Sequence, residues 1–172
     1  MTVSSPIKYN RPMIFLHWMM LVLIVATYAF IEFRGIFPKG TDARTLMKLM
    51  HFSLGLSLLI LVCIRGYYRI TTPVLTRHLS IGAKVGHLFL YAFLLVMPLL
   101  GWLIVSAEGK DVSFYFMTFP SLISENKELA HTLEDWHELL GEVGYWVIGG
   151  HAAMALYHHY IKHEPTFKRM TP

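Results

Sequence analysis

Four stretches of this chain are apolar over about the length a helix needs to cross a bilayer, and no other feature limits its fold as strongly. Crossing ~30 Å of hydrocarbon takes ~20 helical residues. Met13 to Ile31 supplies 19, interrupted only by mild groups such as His17 and Thr27. Three more runs follow, so that the spans cover about 13–31, 45–68, 84–105 and 133–161. The whole chain of 172 residues is 55% hydrophobic and 15% charged, too apolar for an ordinary soluble fold. In lipid a helix satisfies its backbone within the segment. The expectation is an all-α integral membrane four-helix bundle, one domain over residues 1–172.

The connections carry the charges and the breakers. Glu32-Phe33-Arg34-Gly35-Ile36-Phe37-Pro38-Lys39-Gly40 ends the first span with Gly, Pro and both signs of charge. Arg65, Arg69, Thr71-Thr72-Pro73 and Arg77 make a basic second connection. Pro98 and Gly101 lie late in the third span, where a missing backbone donor predicts a local kink. From Ala107 to Thr132 the chain is a long loop with Phe114-Tyr115-Phe116 and Phe119-Pro120, too aromatic for a mere linker. A short helix lying at the membrane interface is expected there, with an ordered loop as the alternative. No cleavable leader is expected, because the first apolar run is long enough to span and lacks a small-residue cleavage site. Cys63, the single cysteine, lies in an apolar run and reads as packing.

Orientation follows from loop charge. The N-terminus, second connection and tail together hold Lys8, Arg11, Arg65, Arg69, Arg77, Lys84, Lys162, Lys168 and Arg169 against one acid, Glu164. The opposite side holds six basic residues and the other ten acids. Positive charge stays inside, so both termini are expected to be cytoplasmic and the aromatic loop to face out. A bacterial inner membrane is the expected location, and no nucleic-acid partner is expected.

Ten histidines are the unusual content, since a histidine in lipid is costly unless it faces a partner. His137 and His151 are 14 residues apart on the fourth span, within ~40° of one helix face and ~21 Å apart along it. His51 starts near the outer face and His17 near the inner face, so depth pairs His51 with His137 and His17 with His151. Each level then offers two imidazole nitrogens and no matching carboxylate or thiolate, which suits a flat haem better than a bare ion. His87 enters from the inner side on the third span and is the alternative to His17.

Other residues fall into place around those pairs. Gly55 and Gly141 each follow an outer histidine by four positions, removing a side chain where a macrocycle needs clearance. Arg34 on the outer side, and Arg65 or Arg69 on the inner side, are placed to pair with haem propionates. His158, seven residues beyond His151 on the same face, could hydrogen-bond a quinone carbonyl at the interface. His78, His131, His159 and His163 read as loop, helix-start or helix-end residues.

Taken in order, His17-Trp18, Glu32-Phe33-Arg34-Gly35, His51-Phe52-Ser53-Leu54-Gly55, Gly86-His87, Trp136-His137-Glu138 and Gly149-Gly150-His151-Ala152-Ala153 resemble the bacterial cytochrome b561 family. The likeness runs to the Ala155-Leu156-Tyr157-His158-His159-Tyr160 end. The resemblance implies a di-haem b membrane protein with His17, His51, His137 and His151 as ligands, and a superoxide oxidase that passes electrons to ubiquinone. Its partners would be the lipid bilayer, a quinone and superoxide. The outer loop Glu108-Gly109-Lys110-Asp111-Val112 interleaves acids with its basic group, whereas a cationic funnel would be the simplest collector for an anion. An electron-carrier subunit that serves a separate dehydrogenase or hydrogenase, with a redox protein as donor, is therefore the alternative.

Overall fold

A computed structural model describes residues 8–72 and 80–171. Four long helices account for most of it: α1 (Arg11–Glu32), α2 (Asp42–Thr71), α3 (Ile81–Ala107) and α4 (Lys127–Tyr160). Each begins where a polar side chain satisfies an orphan amide. Asn10 accepts from Met13 N–H, Thr41 from Arg44, Ser80 from Ala83 and Asn126 from Leu129. Pro12 adds a preset φ at the start of α1. All four helices begin before the expected apolar runs, and α1, α2 and α3 also end beyond them. The largest extension is in α4, which begins at Lys127 rather than Leu133.

The helices pack in chain order, α1 on α2, α2 on α3 and α3 on α4, while α1 and α4 meet only sparsely. Met20, Leu58 and Val62 form one buried cluster, flanked by Tyr91 and Leu94 of α3. Large apolar side chains cover the outside instead of polar ones, with Ile70 at 85% exposure and Trp146 at 83%. Such a surface is stable against lipid and not against water. α1, α2 and α3 are long and apolar enough to cross a membrane. α4 has the length but more polar content, since His137, Glu138, Glu142, His151, His158 and His159 all lie on it. Pro98 sits inside α3 without ending it. The molecule is an all-α membrane bundle.

The expected interfacial helix in the third connection is not there. Val112–Phe114 (β1) and Met117–Phe119 (β2) instead form an antiparallel hairpin, with Val112 opposite Phe119 and Phe114 opposite Met117. Its residues alternate with period two: Val112, Phe114 and Phe119 pack with Leu56, Val105 and Trp102 at the end of the bundle. Tyr115 turns the chain at φ 52°, and its N–H donates to the buried Ser53 Oγ at 2.9 Å. A hairpin anchored in this way buries apolar side chains that an interfacial helix would leave to headgroups.

The residues after α4 also fold back. Trp18 Nε1 donates to the Met170 carbonyl at 2.6 Å, and Tyr9 N–H donates to the Arg169 carbonyl at 3.2 Å, docking a short 3-10 turn at Phe167–Met170 on the start of α1. Arg77 and His78 of the second connection lie outside the described residues.

Candidate functional site

At the level expected to be the outer one, α2 brings His51 beside His137 of α4. Their ring centres are 6.2 Å apart and the rings lie at 79°. Nδ1 of His51 is 2.9 Å from the Thr27 carbonyl. A carbonyl can only accept, so Nδ1 carries the proton and Nε2 keeps its lone pair. That is the tautomer a metal-bound imidazole uses, with the second nitrogen oriented by a backbone acceptor. His137 Nδ1 is buried without a partner.

Both histidines line a cavity of about 380 Å³. Three glycines shape it, one from each of α2, α3 and α4. A Cβ at Gly55 would project into open space, one at Gly101 would come to 3.6 Å from His137 Cε1, and one at Gly141 to 3.8 Å from Met97 Cε. Arg34 and Lys48 supply positive charge to its lining, while Glu32, Glu108, Glu134, Glu138 and Glu142 supply negative charge. The loop that carries Arg34 is tied down by Arg44, whose Nη1 donates to the Phe37 carbonyl at 2.9 Å and the Arg34 carbonyl at 3.5 Å.

The second level, expected to be the inner one, holds three histidines. His17 stands 6.3 Å from His151 between ring centres, at 74°, and His87 stands 5.7 Å from the same ring, at 65°. Arg65 donates to the Met13 carbonyl at 3.0 Å and carries its charge within electrostatic reach of His17 and His151. Arg69 acts in the same way on His87. Towards the chain end, His158 Nδ1 lies 3.2 Å from Glu164 Oε2, and His159 donates to the Glu164 carbonyl at 3.3 Å. His131 is exposed on the first turns of α4, and His163 occupies a left-handed turn after it.

These residues fit a haem. Two imidazoles that bind one metal at about 2.0 Å each, with ring centres about 1.1 Å behind their nitrogens, stand about 6 Å apart. The 6.2 Å gap between His51 and His137 meets that requirement, and the glycines leave flat clearance beside it. The donor set is two imidazoles on one cavity, with Arg34 and Lys48 in its lining for carboxylate tails.

Several contributors escape sequence reasoning. Gly101 follows His87 by 14 residues, the same spacing as His137 to His151, and that repeat was a readable signal for a second inward face. Thr27, Tyr28, Glu32 and Tyr145 also line the cavity or hold its walls. Nothing in their local sequence separates them from ordinary membrane tyrosines and polar helix ends.

A family model described as prokaryotic cytochrome b561 matches residues 8–172. "Cytochrome b561 homolog 1" of Escherichia coli (strain K12) is 32% identical over 172 residues, covering 96% of this chain and 97% of that protein. "Probable superoxide oxidase CybB" of Yersinia pestis is 33% identical over 171 residues, covering 96% of each. "Cytochrome b561 homolog 2" of Escherichia coli (strain K12) is 25% identical over 191 residues, covering 97% of this chain and 93% of the relative.

Proposed function

The chain belongs to the prokaryotic cytochrome b561 family, and from that premise we propose that it is a di-haem b superoxide oxidase which delivers electrons to membrane ubiquinone. Membership makes it an electron-transfer membrane protein that binds haem b. The finer reading rests on one observation above the others: an imidazole pair with a 6.2 Å gap, one ring tautomerically fixed, on a cavity walled by three glycines.

In this reading His51 and His137 would hold an outer haem, and His151 with His17 an inner one. His87 is the alternative to His17, since both face His151. Gly55 and Gly141 leave room for the outer ring, and Arg34 and Arg65 pair with propionates. Bound haem b supplies the one-electron chemistry that no side chain here offers. The chain holds the spacing, the ligation and the local field. Arg34 and Lys48 draw an anion to the outer cavity. There superoxide would lose one electron and leave as dioxygen, the one-electron acceptor being a haem that His51 and His137 would hold. Two such electrons and two protons convert ubiquinone to ubiquinol, with His158 hydrogen-bonded to a quinone oxygen at the inner end. Its Nδ1–H is donated to Glu164, which leaves the Nε2 lone pair to accept from a hydroxyl of the quinol. Both termini lie in the cytoplasm and the membrane is the bacterial inner membrane.

A second reading has support of its own. Five carboxylates share the outer cavity lining with only two cations. Such a lining repels a small anion and suits a cationic redox protein, as in a carrier subunit for a separate dehydrogenase or hydrogenase. One sample separates the two readings. Haem per chain and superoxide-driven ubiquinone reduction are measured together on the purified protein. Two haems with activity support the oxidase; two haems with no superoxide-dependent quinol sink it and leave the carrier.

A further inference from the structure

Two consecutive residues of α1 hold both helices that carry the outer histidines. The Thr27 carbonyl accepts from His51 Nδ1–H at 2.9 Å, and the Tyr28 hydroxyl donates to the Gly141 carbonyl at 2.8 Å. Gly141 lies four residues beyond His137 on α4, one turn along the same face. A helical carbonyl has two lone pairs, so the tyrosine takes the one that the helix leaves free. His51 is thus tied to α1 directly, and His137 through one turn of rigid helix.

The reach of Tyr28 depends on a missing side chain. A Cβ at Gly144 would collide with the Tyr28 hydroxyl and the Phe93 ring. The next residue, Tyr145, lays its ring 4.5 Å from that of Tyr28 and donates its hydroxyl to Glu32 Oε1 at 2.7 Å. These contacts cross from α1 to α4, helices whose backbones meet only sparsely. Without them, α4 is held mainly through α3.

We propose that Tyr28 is a positioning residue for the outer haem: its hydroxyl sets the place of His137 against His51, Gly144 makes the space for it, and the Tyr145–Glu32 bond braces it. The inference rests on the ligand assignment proposed above. Two metal–nitrogen bonds of about 2.0 Å tolerate little slack, since a site held more loosely than ~0.5 Å loses its productive geometry. General packing would act on both haem levels alike. A ruler at Thr27–Tyr28 acts on one.

The test uses the full-length, haem-loaded protein, with low-temperature electron paramagnetic resonance of the two ferric low-spin centres and redox titration of each. His51→Ala identifies the outer signal by removing it. Tyr28→Phe keeps the ring and deletes the hydroxyl; it shifts or weakens the outer signal and its midpoint potential while the inner signal keeps its position. Gly144→Ala displaces the same hydroxyl by collision and acts in the same direction. The proposal is overturned if Tyr28→Phe leaves the outer signal and potential unmoved, or if it disturbs both centres equally. Two intact signals in His51→Ala would instead overturn the ligand assignment, a failure recognisable before either clasp variant is made.

Discussion

At the scale of single residues, the histidines divide into groups with different tests. His51→Ala or His137→Ala should remove the outer haem and spare the inner one, read as half the haem per chain with one low-spin signal remaining. His151→Ala should do the reverse. The inner level is the sharper case, because His17 and His87 both stand within 6.3 Å of His151 between ring centres. Loss of the inner signal in His17→Ala, with retention in His87→Ala, supports the proposed pair; the opposite pattern transfers the ligand role to His87. His158 carries a different expectation, since its Nδ1 is already engaged by Glu164. His158→Gln should leave both haem spectra intact and slow quinone reduction several-fold, about 1 kcal/mol for one lost neutral hydrogen bond. Unchanged quinone kinetics would return it to the ordinary helix-end histidines.

Among elements, the hairpin β1–β2 is the part most open to a stability test. It packs on the middle of α2 and the last turns of α3 through Val112, Phe114 and Phe119, and Val112 also lines the outer cavity. Its turn hangs on Ser53, a fully buried side chain whose Oγ accepts from Tyr115 N–H. Ser53→Ala removes the acceptor of that part-buried bond, which costs about 1 kcal/mol. A lower thermal midpoint in detergent, with an earlier loss of outer than of inner haem on heating, is the expected result. An unchanged midpoint would mean that the hairpin contributes nothing to closing the outer end. The sequence concealed this element because its aromatic run satisfies a helical and an alternating pattern about equally over so few residues.

For the whole molecule, the relevant questions are how it lies in the bilayer and how it is closed at its inner end. Both termini should report a cytoplasmic position when fused to a fluorescent protein and should give no activity when fused to a periplasmic phosphatase. The reverse outcome would invert the proposed electron path. The tail docks on α1 by the Trp18–Met170 and Tyr9–Arg169 hydrogen bonds, with Phe167 against Trp18 and His159. Trp18→Phe keeps the ring contact and removes the indole donor. Cleavage within residues 161–171 by a protease added at the inner face should become several-fold faster, in keeping with about 1 kcal/mol for the lost bond.

The amino-acid sequence alone determined what depends on spacing along one helix. The lengths of the apolar runs required a membrane bundle, and the register of His17, His51, His137 and His151 within them put the histidines at two depths. Gly55 and Gly141 were legible for the same reason, each lying one turn from a histidine. The tertiary structure decided what depends on the angle and gap between helices. It set His87 beside His151 as close as His17, brought Gly101 under His137, and joined Tyr28 to Gly141 across 113 positions of chain. Period and depth are properties of a single segment in a bilayer. Which side chain of one helix meets which of another is chosen only when all four pack and the hairpin and tail close the ends.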